Sequence, residues 1–177
     1  MKNENIMIKI DEKNFPDVNF RNWLLKQDYA TDGVLTEEIL SEITEMDIRR
    51  CGIHSLKGIE HFTALTKLNC SINRLTSLDV SHCPALKVLN CFINHLAYLD
   101  LSHNPALTIL DCYHYNQKCE AATDTLIANL PQTDGGIIYI GEGYSREKIK
   151  AAGEKGWVMQ EGPQAVMSFY TYKNARC

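Results

Sequence analysis

Between residues 43 and 113 one pattern of apolar and polar positions recurs every 21 or 22 residues. LTKLNCSINRLTSLDVSHCPA (65–85) is followed by LKVLNCFINHLAYLDLSHNPA (86–106), and a further copy opens with LTILDC at Leu107. The offsets are strict: Leu65, Leu86 and Leu107; Leu68, Leu89 and Leu110; Cys70, Cys91 and Cys112. A more divergent copy comes first, with Ile43, Met46, Ile48, Ile53 and Leu56 lying 22 residues before Leu65, Leu68, Cys70, Leu75 and Leu78. In K-L-N-C-S (67–71) the alternation of side chains sends Leu68 and Cys70 inward and Lys67, Asn69 and Ser71 outward. Such copies stack as parallel strands about 4.8 Å apart, each inward Leu resting on its equivalent in the next copy.

L-x-x-L-x-L-x-x-N/C-x-L at a period of 20–29 residues is the signature of a leucine-rich repeat. Cys70 and Cys91 fill the third apolar place, Asn73 and Asn94 the Asn place, and Cys51 stands at that place in the first copy. A buried Asn there supplies partners for backbone groups in the bend after the strand. The second half of each copy runs Leu75, Leu78, Val80 and then Leu96, Leu99, Leu101. With Pro84 and Pro105 it predicts extended or turn-like segments rather than regular helix on the convex side.

An open stack must be capped at both ends. PDVNFRNWLLKQ (16–27) predicts an amphipathic helix with Phe20, Trp23 and Leu24 on one side, and TEEILSEI (36–43) a short helix with Thr36 as N-cap. Beyond the repeats, EAATDTLIANL reads as a helix stopped by Pro131, and IIYI (137–140) as a strand. SREKIKAA reads as a helix capped by Ser145 and ended by Gly153, and WVM (157–159) as a strand. Strand, helix, strand implies that the sheet continues parallel through this cap. MSFYTY (167–172) reads equally as a further strand or as a loosely held end.

The predicted class is an α/β repeat solenoid: a short right-handed superhelix with a parallel concave sheet, a helical amino-terminal cap and an α/β carboxy-terminal cap. Its divisions are 1–42 (first cap), 43–116 (about 3.5 repeats) and 117–177 (second cap and tail), all in one domain.

Residues 43–113 resemble the repeats of bacterial surface and secreted proteins of the internalin-like kind. FPDVNFRNWLLKQDYATDGVLTEEI resembles the amino-terminal cap that accompanies such repeats in gut-associated bacteria, and IANLP, GGIIYI and KGW resemble their closing segment. The resemblance implies a recognition scaffold, usually exported, that binds another macromolecule through its concave sheet.

Composition excludes other classes. The 18 basic and 22 acidic residues sum to −4 with a pI near 5.8, so there is no basic footprint for nucleic acid. No apolar run approaches the ~20 residues of a membrane span. At the amino terminus Glu4, Lys9 and Asp11-Glu12 interrupt the only apolar stretch, so the chain as written reads as cytoplasmic, whereas the resemblance implies secretion or the cell surface. Seven cysteines, an odd number in a chain of this length, do not read as a disulfide framework.

Several motifs invite chemistry and yield to plainer readings. Asp28, Asp32 and Gly33 sit at calcium-loop places, but Ala30 and Ile39 stand where two ligands belong, so the segment reads as a turn with Gly33 at positive φ. His82 and His103 are repeat equivalents that should stack at the outer edge with Cys83 adjacent; three such groups could hold zinc, yet they read as exposed turn residues. Cys70, Cys91 and Cys112 read as small hydrophobes of the core. G-E-G-Y-S-R (141–146) lacks the third glycine of a dinucleotide loop and reads as a strand-to-helix turn. With no G-x-S-x-G, H-E-x-x-H or P-loop, the chain reads as non-enzymatic, without cofactor or metal.

The outward positions remain. One row is Glu45, Lys67, Val88, Ile109; the next Asp47, Asn69, Asn90, Asp111; the third Arg49, Ser71, Phe92, Tyr113. The face is charged at its amino-terminal end and apolar-aromatic at the other. The expectation is a monomeric binding module whose concave residues Lys67, Asn69, Val88, Asn90, Phe92, Ile109, Asp111 and Tyr113 contact a protein, in preference to a glycan. Two rivals stand beside it: a structural repeat fragment of a larger exported surface protein, and a cap that folds over Val88, Ile109 and Phe92.

Overall fold

The computed structural model describes residues 7–30, 32–113, 120–141 and 144–161; the 167–172 segment lies outside them. Six parallel strands form one sheet in chain order: β3 (Glu45–Asp47), β4 (Lys67–Asn69), β5 (Val88–Asn90), β6 (Ile109–Asp111), β7 (Gly136–Ile140) and β8 (Trp157–Glu161). The register is the one the repeat offsets imply: Glu45 beside Lys67, Lys67 beside Val88, Val88 beside Ile109. The sheet then continues through the second cap, where Ile109 lies beside Ile137 and Asp111 beside Tyr139.

Met46, Leu68, Leu89, Leu110 and Ile138 share one inward row, none more than 1% exposed. Cys70, Cys91 and Cys112 continue it on the following position as buried free thiols. Their amides carry the ladder past the strand ends, Cys70 N–H to Asn90 O and Cys91 N–H to Asp111 O. On the convex side of the repeats the one helical segment among the described residues is a single 3₁₀ turn, Ile59–His61.

The asparagines of the bend bind two coils together. Asn73 Oδ1 accepts from Cys51 N and Ile53 N at 3.1 and 3.0 Å, while its Nδ2 donates to Ile48 O and Cys70 O at 2.8 and 2.9 Å. Asn94 repeats the arrangement one coil on, accepting from Leu75 N and donating to Cys70 O and Cys91 O. The residue before each Asn is left-handed: Ile72 at φ 54° and Ile93 at φ 50°, with Arg50 equivalent at φ 60°. A β-branched residue is strained there, and the repeat retains it twice.

Helix α1 (Val18–Leu25) buries Phe20, Trp23 and Leu24. Its N-cap is also a latch: Asp17 Oδ1 accepts from Asn19 N and Phe20 N, and Oδ2 accepts from His54 N and Ser55 N in the first coil. Helix α2 (Glu37–Glu42) starts from Thr36, whose hydroxyl accepts from Ile39 N. Between these helices the chain forms β2 (Val34–Thr36), paired antiparallel with β1 (Met7–Lys9). The sequence reading missed this pairing, because three-residue strands with at most one buried side chain carry almost no periodic signal.

In the second cap, α3 (Glu120–Asn129) and α4 (Arg146–Glu154) pack against each other and the sheet. Lys155 Nζ donates to Ala128 O and Leu130 O, placing a cation at the carbonyl end of α3. Trp157 is buried with Nε1 donating to Pro131 O. The expected stop of α4 at Gly153 is corrected: the helix runs through Glu154 and ends on Gly156 at φ +80°. A Cβ on Gly156 would lie 1.8 Å from Thr133 O, so only glycine fits.

Candidate functional site

The outward side of the sheet carries three rows, and their environments differ. Lys67, Val88, Ile109 and Ile137 in the first row are half-buried, and Val158 at its end is 54% exposed. This row continues beyond the repeats, because β7 pairs with β6 and β8 with β7 in the same sheet. Tyr139 packs with Val88, Ile109 and Ile137 in a small apolar cluster separate from the main core. The described strands of the cap therefore extend this face sideways. Ile137, Tyr139 and Val158 were not assigned to the face from sequence; the period of 2 in IIYI and WVM was the available signal.

The middle row is nearly sealed by its neighbours. Asn69, Asn90 and Asp111 face the concave side yet are only 2, 2 and 3% exposed, and Ser71 is 1% exposed. Each folds back on its own strand end as an Asx turn. Asn69 Oδ1 accepts from Ser71 N and Ser71 Oγ, Asn90 Oδ1 from Phe92 N, and Asp111 Oδ1 from Tyr113 N. Asp47 does the same with Arg49 N. A short acceptor at this place ends each strand after three residues and turns the chain toward the convex side. In the third row, Phe92 and Tyr113 are half-buried.

Charge is distributed unevenly. Glu45 pairs with Lys67 across strands at 2.6 Å, and Asp47 pairs with Arg49 at 3.0 Å, so the amino-terminal half neutralises itself. Among the described residues Asp111 has no cation partner, and burial pushes its carboxyl up to about 6.

The other candidates do not converge. His82 and His103 are exposed, each ring nitrogen meeting the preceding serine hydroxyl at 3.1 Å, and Cys83 points away from them into the core. Among the described residues no three His, Cys, Asp or Glu side chains are grouped to hold a metal ion. Gly33 has φ +67° in the turn that leads into β2. Asp28 opens a 3₁₀ turn, Asp28–Ala30, ahead of it. Ser145 caps α4, as its sequence suggests. No described helix is long and apolar enough to cross a membrane.

These coils, their shared parallel sheet and the helical first cap define a leucine-rich repeat solenoid, and its fold is similar to that of internalins. Over 69 residues the chain is 41% identical to Internalin J of Listeria monocytogenes serotype 4b (strain F2365), a match covering 38% of this chain and 7% of that protein. Among solved structures, it resembles the functional domain of InlJ from Listeria monocytogenes, described as including a cysteine ladder. That match has TM-score 0.54 and 26% identity, over 81% of this chain and 26% of that one. An internalin from the same species, InlF, shares the fold at TM-score 0.60 and 21% identity, over 83% of this chain and 50% of the other. No family model matches the sequence.

Proposed function

We propose that the chain is a non-enzymatic binding module that holds a protein partner on the concave face of its sheet, toward the carboxy-terminal end. One observation carries the reading: the apolar row Val88, Ile109, Ile137, Val158, flanked by Tyr139, Phe92 and Tyr113, stays partly open to solvent although the Leu row behind it is sealed. Open apolar and aromatic surface of this kind marks contacts. Six strands about 4.8 Å apart give a face roughly 24 Å across. The similarity to internalins supports a recognition scaffold.

The test is capture of proteins on the intact chain and on a Phe92→Ser, Val158→Ser variant. Both side chains lie away from the Leu row, so the variant should melt within a few degrees of the parent. A protein retained by the parent and lost from the variant supports the reading. Equal retention by both, or a collapse of the melting temperature with retention unchanged, overturns it.

A further inference from the structure

We propose that the partner bound on this face is a polypeptide segment that places a lysine or arginine side chain on Asp111, with apolar side chains on Val88 and Ile109 beside it. The proposal rests on the concave-face reading above and adds the chemistry of the occupant.

The argument starts from the pairing of charges. Three carboxylates lie on the outward side of the described repeat strands: Glu45, Asp47 and Asp111. The first two each have a cation within 3.0 Å. Asp111 has none among the described residues. Its Oδ1 accepts from the Tyr113 amide at 3.2 Å, which leaves Oδ2 without a hydrogen bond. The sealed polar atoms lacking a partner are Trp23 Nε1 and Asn104 Oδ1, and Oδ2 is not one of them, so it borders the concave space. Among the described residues, the groups around the carboxylate are Asn90 of β5 and Cys91 just after it, Cys112 and Tyr113 from its own coil, and Tyr139 from β7. None brings a positive charge. Burial among them raises the carboxyl to about 6, the direction expected for an acid with no cation nearby.

A carboxylate held ionised at neutral pH between apolar rows is unfavourable until a cation arrives. The groups that suit it are an ammonium or guanidinium, which form charge-assisted hydrogen bonds to such an oxygen. A basic residue whose sequence neighbours are apolar satisfies the carboxylate and the Val88–Ile109 row at once. A glycan would satisfy neither.

The experiment pans a phage-displayed random dodecapeptide library against three intact proteins: the parent, Asp111→Asn and Val88→Ser/Ile109→Ser. The parent should enrich peptides that combine Lys or Arg with adjacent apolar residues. Asp111→Asn should keep the apolar preference and lose the basic one, and the double variant should lose both. A synthetic peptide from the parent selection should bind about tenfold more weakly at pH 5 than at pH 7.5, since a carboxyl near 6 is about one-tenth ionised at pH 5. That profile needs only the parent protein, and it should be flat in Asp111→Asn. Apolar peptides lacking a basic residue, or basic peptides held equally by Asp111→Asn with no pH dependence, overturn the cation assignment and leave the concave-face reading standing. No enrichment, or enrichment indifferent to Val88→Ser/Ile109→Ser, overturns both.

Discussion

Asn104 does on its coil what Cys83 does on the coil before it. Asn104 Nδ2 donates to Val80 O and Cys83 O at 2.8 and 3.0 Å; Cys83 Sγ meets Ile59 O and Phe62 O, the equivalent carbonyls 21 residues earlier, at 3.9 and 3.7 Å. Both side chains are fully buried. The amide makes the shorter contacts but leaves its own Oδ1 without a partner. The thiol makes weaker contacts and leaves nothing polar stranded.

Asn104→Ala should therefore lose about 2–3 kcal/mol in urea unfolding, from two buried hydrogen bonds lost and a small cavity. Asn104→Cys should recover at least half of that loss, because the neighbouring coil already accepts the thiol. If both variants unfold at the same urea concentration, the two sites are not equivalent.

Cys70, Cys83, Cys91 and Cys112 should resist alkylation in the native protein and react together once it is denatured. Burial pushes the Cys70 thiol up to about 12 and Cys83 up to about 11, and raises Cys91 and Cys112 as well. The reactive thiolate is thus nearly absent at pH 8. Mass spectrometry after a timed iodoacetamide pulse reads this directly; quick native labelling of all four would contradict their placement in the core.

Ile93→Asn should raise the melting temperature by about 2–6 °C. Ile93 is left-handed at φ 50° and 43% exposed, so little burial is lost on replacing it. The left-handed conformation costs roughly 1–2 kcal/mol in most residues, and Asn tolerates it. An unchanged or lower melting temperature would mean that the isoleucine side chain contributes more than the strain removes.

Asp111→Asn should stabilise the free protein at pH 7.5. The carboxyl rises from an ordinary 3.8 to about 6 on folding, so the folded state holds its proton more tightly than the unfolded chain. Stability is greatest below about pH 4 and falls as pH rises toward 6, staying lower above it. The variant lacks this loss. Its advantage in melting temperature should be full at pH 7.5 and vanish near pH 4; an advantage independent of pH would show that ionisation is not its source.

The register of the repeat strands was legible because the sequence offset is itself the strand pairing. Leu68 lies beside Leu89 in space because it precedes it by one period in the chain. The caps' helices were legible through Asp17, Thr36 and Ser145, whose side chains meet the amides their positions call for. Other features were not. Asn69, Asn90 and Asp111 obey the alternation, but an Asx turn folds each onto its own strand, and alternation says nothing about that. Cys83 was read with His82 because they are neighbours in sequence, whereas its side chain points inward like that of Asn104. Ile137 and Val158 extend the face without belonging to any repeat, so no periodicity linked them to Ile109.

The double grip of Asn73 and Asn94 gives assembly a direction. Ile53 N–H has its acceptor on Asn73, 20 residues later, and Leu75 N–H has its acceptor on Asn94, 19 residues later. A bend is thus finished only by the coil that follows it. A chain growing from its amino terminus carries an unfinished bend at its leading edge until about one more period has been synthesised. Each newly added coil locks the one already formed, as a tooth locks a zip, and a stall in synthesis would leave one bend exposed rather than unravel the coils behind it.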